Sequence, residues 1–185
     1  MKKFELTTNT KMFLGKKLFQ IKALINFGDV EAGELGGYIE KEENLDYDGD
    51  AWVSGNARVY GNARVSGNAR VSGNACVYGD ACVSGNACVY GDACVYGNAR
   101  VYGDACVSGN ACYTTIKGFG REYRTTTFFK CKDGKVRVQC GCFYGDLEEF
   151  RAIVKKTHGE SKKAKEYLMI ADLMELHFEE NENDK

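Results

Sequence analysis

The chain has 185 residues, 44% hydrophobic and 28% charged, with a formal net charge of -1 at pH 7. That length and balance suit one soluble globular domain with appendages, and nucleic acid is not the expected partner, because Asp48, Asp50, Asp80, Asp92 and Asp104 balance the arginines of residues 47–112. No apolar run reaches the roughly 18 residues of a membrane helix, and Met-Lys-Lys-Phe-Glu-Leu-Thr-Thr-Asn-Thr at the start lacks the apolar segment of a signal peptide. Of nine cysteines, six occupy one slot of a repeat, a substitution habit and not a disulfide framework. Free thiols in a reducing cytoplasm are the expectation.

Residues 1–46 are expected to form an N-terminal β cap. Short β segments are predicted over 4–6, 12–14 and 17–24, with turns at Gly15 and Gly28. Such a cap covers the strand edge that a repeat stack would otherwise offer to other chains. Gly33, Gly36 and Gly37 match neither a Walker loop nor a dinucleotide fingerprint. They read as a turn feeding Tyr38 and Ile39 onto the first coil.

Residues 47–112 repeat one six-residue phrase eleven times, Val-Ser/Tyr-Gly-Asn/Asp-Ala-Arg/Cys, with Tyr47 opening the series and Val at 53, 59 and every sixth place to 107. A fixed short period means a solenoid. The valine points inward, its neighbours point outward, alanine turns in at a corner, and Gly-Asn or Gly-Asp supplies that corner. Three hexads make a coil of 18 residues, so each valine is expected to stack on the valine 18 places on. Coils then pair as parallel strands about 4.8 Å apart.

Sorting the outward residues by face follows from that spacing. The face of Val59, Val77 and Val95 carries an unbroken ladder, Tyr60, Tyr78 and Tyr96. One reading is that tyrosine and serine alternate as good strand formers, with stacked rings tying coils together. The other is an oligomer interface, because aromatic residues with few charges suit buried protein contacts.

The phrase resembles that of hexapeptide-repeat left-handed β-helix proteins. The resemblance implies a mainly β fold with left-handed coils, and a homotrimer or larger oligomer with Tyr60, Tyr78 and Tyr96 in the contact. It also implies acyl transfer from acyl-CoA as a candidate activity. Those enzymes use a histidine base, yet residues 1–157 contain none. His158 is the one candidate base for that reading.

Residues 113–178 read as an α+β module. Strands are predicted over 113–117, 122–130 and 135–140, with Asp133-Gly134 as a hairpin turn. Asp146 and Glu149 form a capping box for a helix to about residue 157, and Ser161 opens a second helix to about residue 178. The acidic tail, 179–185, is expected to fray. Cys131, Cys140 and Cys142 with His158 offer zinc-type ligands, but Cys-x-Cys without a second pair favours structural cysteine, and no metal or cofactor is expected.

Residues 113–137 hold seven Lys or Arg against two acids, a local net of +5. Arg121, Arg124, Thr125, Thr126 and Thr127 with Gly118 and Gly120 can cradle an anion through Arg forks, hydroxyls and backbone N–H groups. A glycine turn before an exposed strand edge explains the same residues without a ligand.

Phe13-Leu-Gly-Lys-Lys-Leu-Phe19 and Leu35-Gly-Gly-Tyr-Ile39 before the repeats, with Arg124-Thr-Thr-Thr-Phe-Phe129, Cys140-Gly-Cys-Phe143 and Thr157-His-Gly159 after them, are similar to a group of phage and prophage hexapeptide-repeat proteins. Some relatives carry a transferase label. The resemblance implies a viral setting in a host cytoplasm. The reading is a non-enzymatic, oligomeric binding protein that sequesters a nucleotide-like anion or blocks a host protein, with acyltransferase as the alternative.

Overall fold

Two residues in every hexad are extended, and the next four turn the corner. The computed structural model describes residues 2–120 and 122–179, which divide into two compact units between Ala111 and Cys112.

In the first unit the hexads supply ten two-residue strands. These are β4 Trp52–Val53, β5 Arg58–Val59, β6 Arg64–Val65, β7 Arg70–Val71, β8 Cys76–Val77, β9 Cys82–Val83, β10 Cys88–Val89, β11 Cys94–Val95, β12 Arg100–Val101 and β13 Cys106–Val107. They stack in parallel as three faces, β5-β8-β11, β6-β9-β12 and β4-β7-β10-β13. Val59 lies on Val77 and Val77 on Val95, so the 18-residue column holds. Every valine from 53 to 107 is fully buried, each stabilising the stack by about 1.5–3 kcal/mol. Backbone bonds repeat from coil to coil, as in Arg58 N–H to Ala75 O at 2.9 Å, Tyr60 N–H to Val77 O at 3.0 Å and Asn62 N–H to Gly79 O at 2.8 Å.

At the corners only glycine uses positive φ, 63° at Gly55 and 72° at Gly61. The following Asn or Asp has another task. Asn56 donates to Asn74 and Asn74 to Asp92, while Asn68 donates to Asn86 and Asn86 to Asp104. These side-chain ladders run up the edges and end on a carboxylate, which accepts without needing to donate.

The start of the stack differs from expectation. Tyr47 does not take the inward seat below Val65. That seat belongs to Leu45, which is buried and bridges Val65 in parallel. Ile39 likewise lies on Val59 within β3, Leu35–Ile39. The inward series therefore begins at Ile39 and Leu45, and two extra residues intervene before Val53. At the other end, Cys112 belongs to a short 3-10 turn, Asn110–Cys112, and Cys94 N–H bonds the Asn110 side chain. Val107 is the last inward valine.

The hairpin of β1, Phe4–Phe13, and β2, Lys16–Ala23, pairs antiparallel with the free edge of β3. The expected segments 4–6 and 12–14 are one bulged strand. Gly36 and Gly37 lie inside β3 and not in a turn; Ile21, Val53 and Trp52 leave no room for a side chain at Gly36, and Ala57 and Val53 leave none at Gly37. Phe4 stacks on Tyr47, Phe13 meets Tyr60 edge-on and Phe27 meets Trp52 edge-on. The N-terminal segment thus covers the large aromatic groups of the first coil.

The second unit is an antiparallel sheet, β14 Tyr113–Ile116, β15 Thr126–Lys130, β16 Val136–Cys140 and β17 Phe143–Asp146, in sequential order. Helices α1, Leu147–His158, and α2, Lys162–Phe178, follow. Phe128, Val138, Phe150, Val154, Ala164, Tyr167 and Ala171 are among its core. The expected strand over 122–130 begins only at Thr126, and β17 was not anticipated. Residues 180–185, the bulk of the acidic tail, lie outside the described residues. Among the described residues no helix is long and apolar enough to cross a membrane.

Candidate functional site

The junction of β17 and α1 is set by its cap. Asp146 accepts from Glu149 N–H and Glu149 accepts from Asp146 N–H, both at 2.9 Å, as the capping-box pattern predicts. From that start, Phe150, Val154 and His158 recur every four residues along one side of α1. Gly159, with φ of 55°, ends the helix. Ser161 then caps α2 by accepting from Ala164 N–H, and the short link brings His158 beside Tyr167. Their rings stack at 6.0 Å. Arg151 fastens the two helices by pairing with Asp172 at 2.9 Å and Glu175 at 2.6 Å.

These elements enclose a cleft of about 180 Å³ lined by Cys140, Phe143, Phe150, Ile153, Val154, Thr157, His158 and Tyr167. Phe150 stands edge-on to Tyr167 at 5.7 Å, and Phe143 packs on Phe150 at 5.6 Å. Half of the lining residues therefore carry rings, Phe143, Phe150, Tyr167 and the His158 imidazole, with the Cys140 thiol among the rest. Cys140 accepts a hydrogen bond from the Thr126 hydroxyl at 3.2 Å.

Tyr167 joins this cleft to the basic loop. Its hydroxyl donates to the Phe119 carbonyl at 3.3 Å, and Gly120, at φ of 74°, lies so close to the ring that a side chain there would collide with it. Burial, followed by the nearby Cys140, pushes the Tyr167 phenol up to about 12, and the Arg124 charge opposes that rise. Arg124 itself is exposed, with its guanidinium alongside Gly141 in the β16–β17 turn.

The residues singled out in the basic segment separate in space. Arg124 is exposed and Thr125 half-buried, whereas Thr126 and Thr127 are buried in β15, one of the two inner strands of the sheet. Arg121 lies outside the described residues. His158 is half-buried and lines the cleft. In the solenoid, Tyr60 stacks on Tyr78 at 5.1 Å and Tyr78 on Tyr96 at 5.3 Å. Tyr60 is 6% exposed beneath Phe13, and Tyr96 is 53% exposed. Among the described residues no group of three His, Cys, Asp or Glu is placed to hold a metal, so Cys131, Cys140, Cys142 and His158 form no such set.

Sequence reasoning missed the joint role of Phe143, Phe150 and Tyr167. They come from three elements, and the only local signal was the shared face of Phe150, Val154 and His158. A larger cleft of about 430 Å³ in the first unit is lined by Lys41, Glu42, Glu43, Leu45, Asp46, Tyr47, Asn62, Ala63 and Arg64. Its charges are of both signs, and Glu42 is already held by Lys2 and Tyr47.

The family model described as the YdcK beta solenoid repeat matches residues 51–67, 63–79, 69–85 and 93–109. All four spans fall within the stacked coils, so the likeness covers the β-solenoid of the first unit and does not extend to the second. No curated protein matches the chain.

Proposed function

We propose that the chain is a non-enzymatic binding protein whose second unit holds a small, planar, anionic molecule of the nucleotide class. The observation that carries this reading is the cleft with Phe143, Phe150, His158 and Tyr167 in its wall, where Tyr167 is hydrogen-bonded to Phe119 in the basic segment that also carries the exposed Arg124. Its volume accommodates one planar ring system and not a whole cofactor, since complete ligand sites usually span about 300–1,000 Å³. A base enters beside His158 and Tyr167, where stacking is worth about 1–3 kcal/mol. The phosphate stays outside, on Arg124 and Thr125, where a guanidinium offers a bidentate fork. The likeness to phage proteins supports a role in sequestering a host nucleotide signal.

Calorimetry of the full chain against cyclic dinucleotides and ADP-ribose derivatives tests the reading. Binding is expected, with at least a tenfold loss in Arg124→Ala and in Phe150→Leu. No heat across that panel, or unchanged affinity in Arg124→Ala, overturns it. The acyltransferase alternative, favoured only by the position of His158, predicts thiol release from acetyl-CoA that disappears in His158→Ala. The open end of the tyrosine ladder supports a separate contact, a trimer or a host protein seated on Tyr78 and Tyr96.

A further inference from the structure

Helix α2 is apolar on two sides. One side, with Ala164, Tyr167, Ile170, Ala171, Met174 and Phe178, is buried in the second unit. The other bears Met169, Leu173 and Leu176, which are 71%, 54% and 63% exposed. Their spacing of four and three residues makes one continuous stripe. Single exposed apolar residues are ordinary, but three in line on one helix face, opposite the face already buried, form a stripe suited to a second contact.

The charges along α2 say what packs there. Its first turns carry Lys162, Lys163 and Lys165 against Glu166, which is paired to Lys162 at 3.7 Å. Its second half carries Asp172 and Glu175, with Glu179 at the C-cap, and His177 is the one basic residue in its last turn. Arg151 from α1 offsets part of that charge. Basic residues at the N-terminus and acidic ones at the C-terminus are the reverse of what a helix dipole favours. Helix α1 has the favourable arrangement, Glu148 and Glu149 first and Lys155, Lys156 and His158 last. The reversal in α2 therefore does nothing for the isolated helix.

It is resolved by a second α2 running antiparallel. We infer that the Met169–Leu173–Leu176 stripe is the contact surface of a two-fold symmetric dimer of this chain. With the axis near Ala171, Met169 of each copy meets Leu173 of the other, and the lysine-rich start of each helix lies beside the acidic end of its mate. Such an interface is self-complementary, as two-fold symmetry requires, and the charges exclude the parallel alignment. A helix of 17 residues is about 25 Å long, enough to bring both charged ends into register.

Sedimentation equilibrium of the full chain over about 1–100 µM tests this, a range suited to an interface at the small end of stable sizes. The expected mass is twice 20.5 kDa. Leu173→Glu and Met169→Glu should each raise the dissociation constant at least tenfold. Their circular dichroism and unfolding midpoint should not change, because both side chains are exposed. Lys162→Glu with Lys165→Glu should weaken self-association, and mixing that variant with Glu179→Lys should restore it as a heterodimer. A single-chain mass at the highest concentration overturns the inference. So does a three-chain mass, a dimer that survives Leu173→Glu, or one that Tyr96→Ser abolishes while Leu173→Glu does not.

Discussion

The ammonium of Lys3 donates to the main-chain carbonyl of Ala51 at 3.1 Å, and to that of Gly49 at the same distance. Asn44 treats the adjoining side in the same way, donating to Gly61 O at 3.1 Å and Ala63 O at 2.8 Å. Both side chains satisfy carbonyls that have no preceding coil to receive from. Lys3 is 2% exposed, and its ammonium also lies over the Phe27 ring. Burial lowers its pKa, while Asp46, Asp50 and Asp48 act to raise it. Lys3→Met keeps the bulk but orphans two acceptors, so urea unfolding should show a loss of about 1–3 kcal/mol.

The alkaline limb of stability should be set largely by buried tyrosine. Burial, the first cause, pushes the Tyr60 phenol up to about 12. A folded pKa above the unfolded value near 10 means that the native state keeps a proton the unfolded chain has lost. Stability is then full below about pH 10 and falls as pH rises toward 12, by about 2–3 kcal/mol for this group. Lys3 has the opposite sign, since its lowered pKa adds stability as pH rises through the interval below 10.5. Tyr60→Phe should flatten the fall seen in unfolding curves collected at pH 9, 10, 11 and 12, and Lys3→Met should steepen it.

Gly36 and Gly109 give a contrast within one residue type. A Cβ at Gly36 would stand 2.5 Å from Ile21 Cγ1 and 2.6 Å from the Val53 carbonyl oxygen. The carbonyl belongs to β4 and has nowhere to go. Gly36→Ala should cost about 1–3 kcal/mol or more, whereas Gly109→Ala, with nothing within 4 Å, should stay within about 0.5 kcal/mol. Denaturant midpoints of the two variants provide the comparison.

The corner ladders predict a directional effect. Asn74 donates to Asp92 at 3.0 Å. Asn74→Asp sets two carboxylates against each other and should cost about 0.5–1 kcal/mol at low salt, shrinking as salt screens the pair. Asp92→Asn leaves an acceptor in place and should be close to neutral. Thermal unfolding at two ionic strengths separates these outcomes.

The coils were legible because every hexad repeats the same instruction, so local preference and long-range stacking agree at each valine. Legibility failed where the arithmetic slipped. Tyr47 stands six residues before Val53, but the buried seat takes the smaller Leu45, and nothing in the phrase announces the two intervening residues. The candidate site was only half visible. Arg124 and Thr125 to Thr127 look like one contiguous cradle in sequence, but β15 is an inner strand of its sheet, and Thr126 and Thr127 are buried there. Phe143, Phe150 and Tyr167 owe their meeting to the turn at Gly141 and to the short link at Gly159, which no single window of sequence displays.

The corner ladders also bear on how such a chain changes length. Because each coil touches only the coil before and after it, excising 18 residues from the middle rejoins valine to valine and asparagine to its acceptor. Excising six also keeps the valines inward, but it moves every later strand to the next face. Gene duplications and losses in steps of 18 are therefore the ones that this architecture absorbs with least disturbance, and the tyrosine column would grow or shrink by one ring at each step.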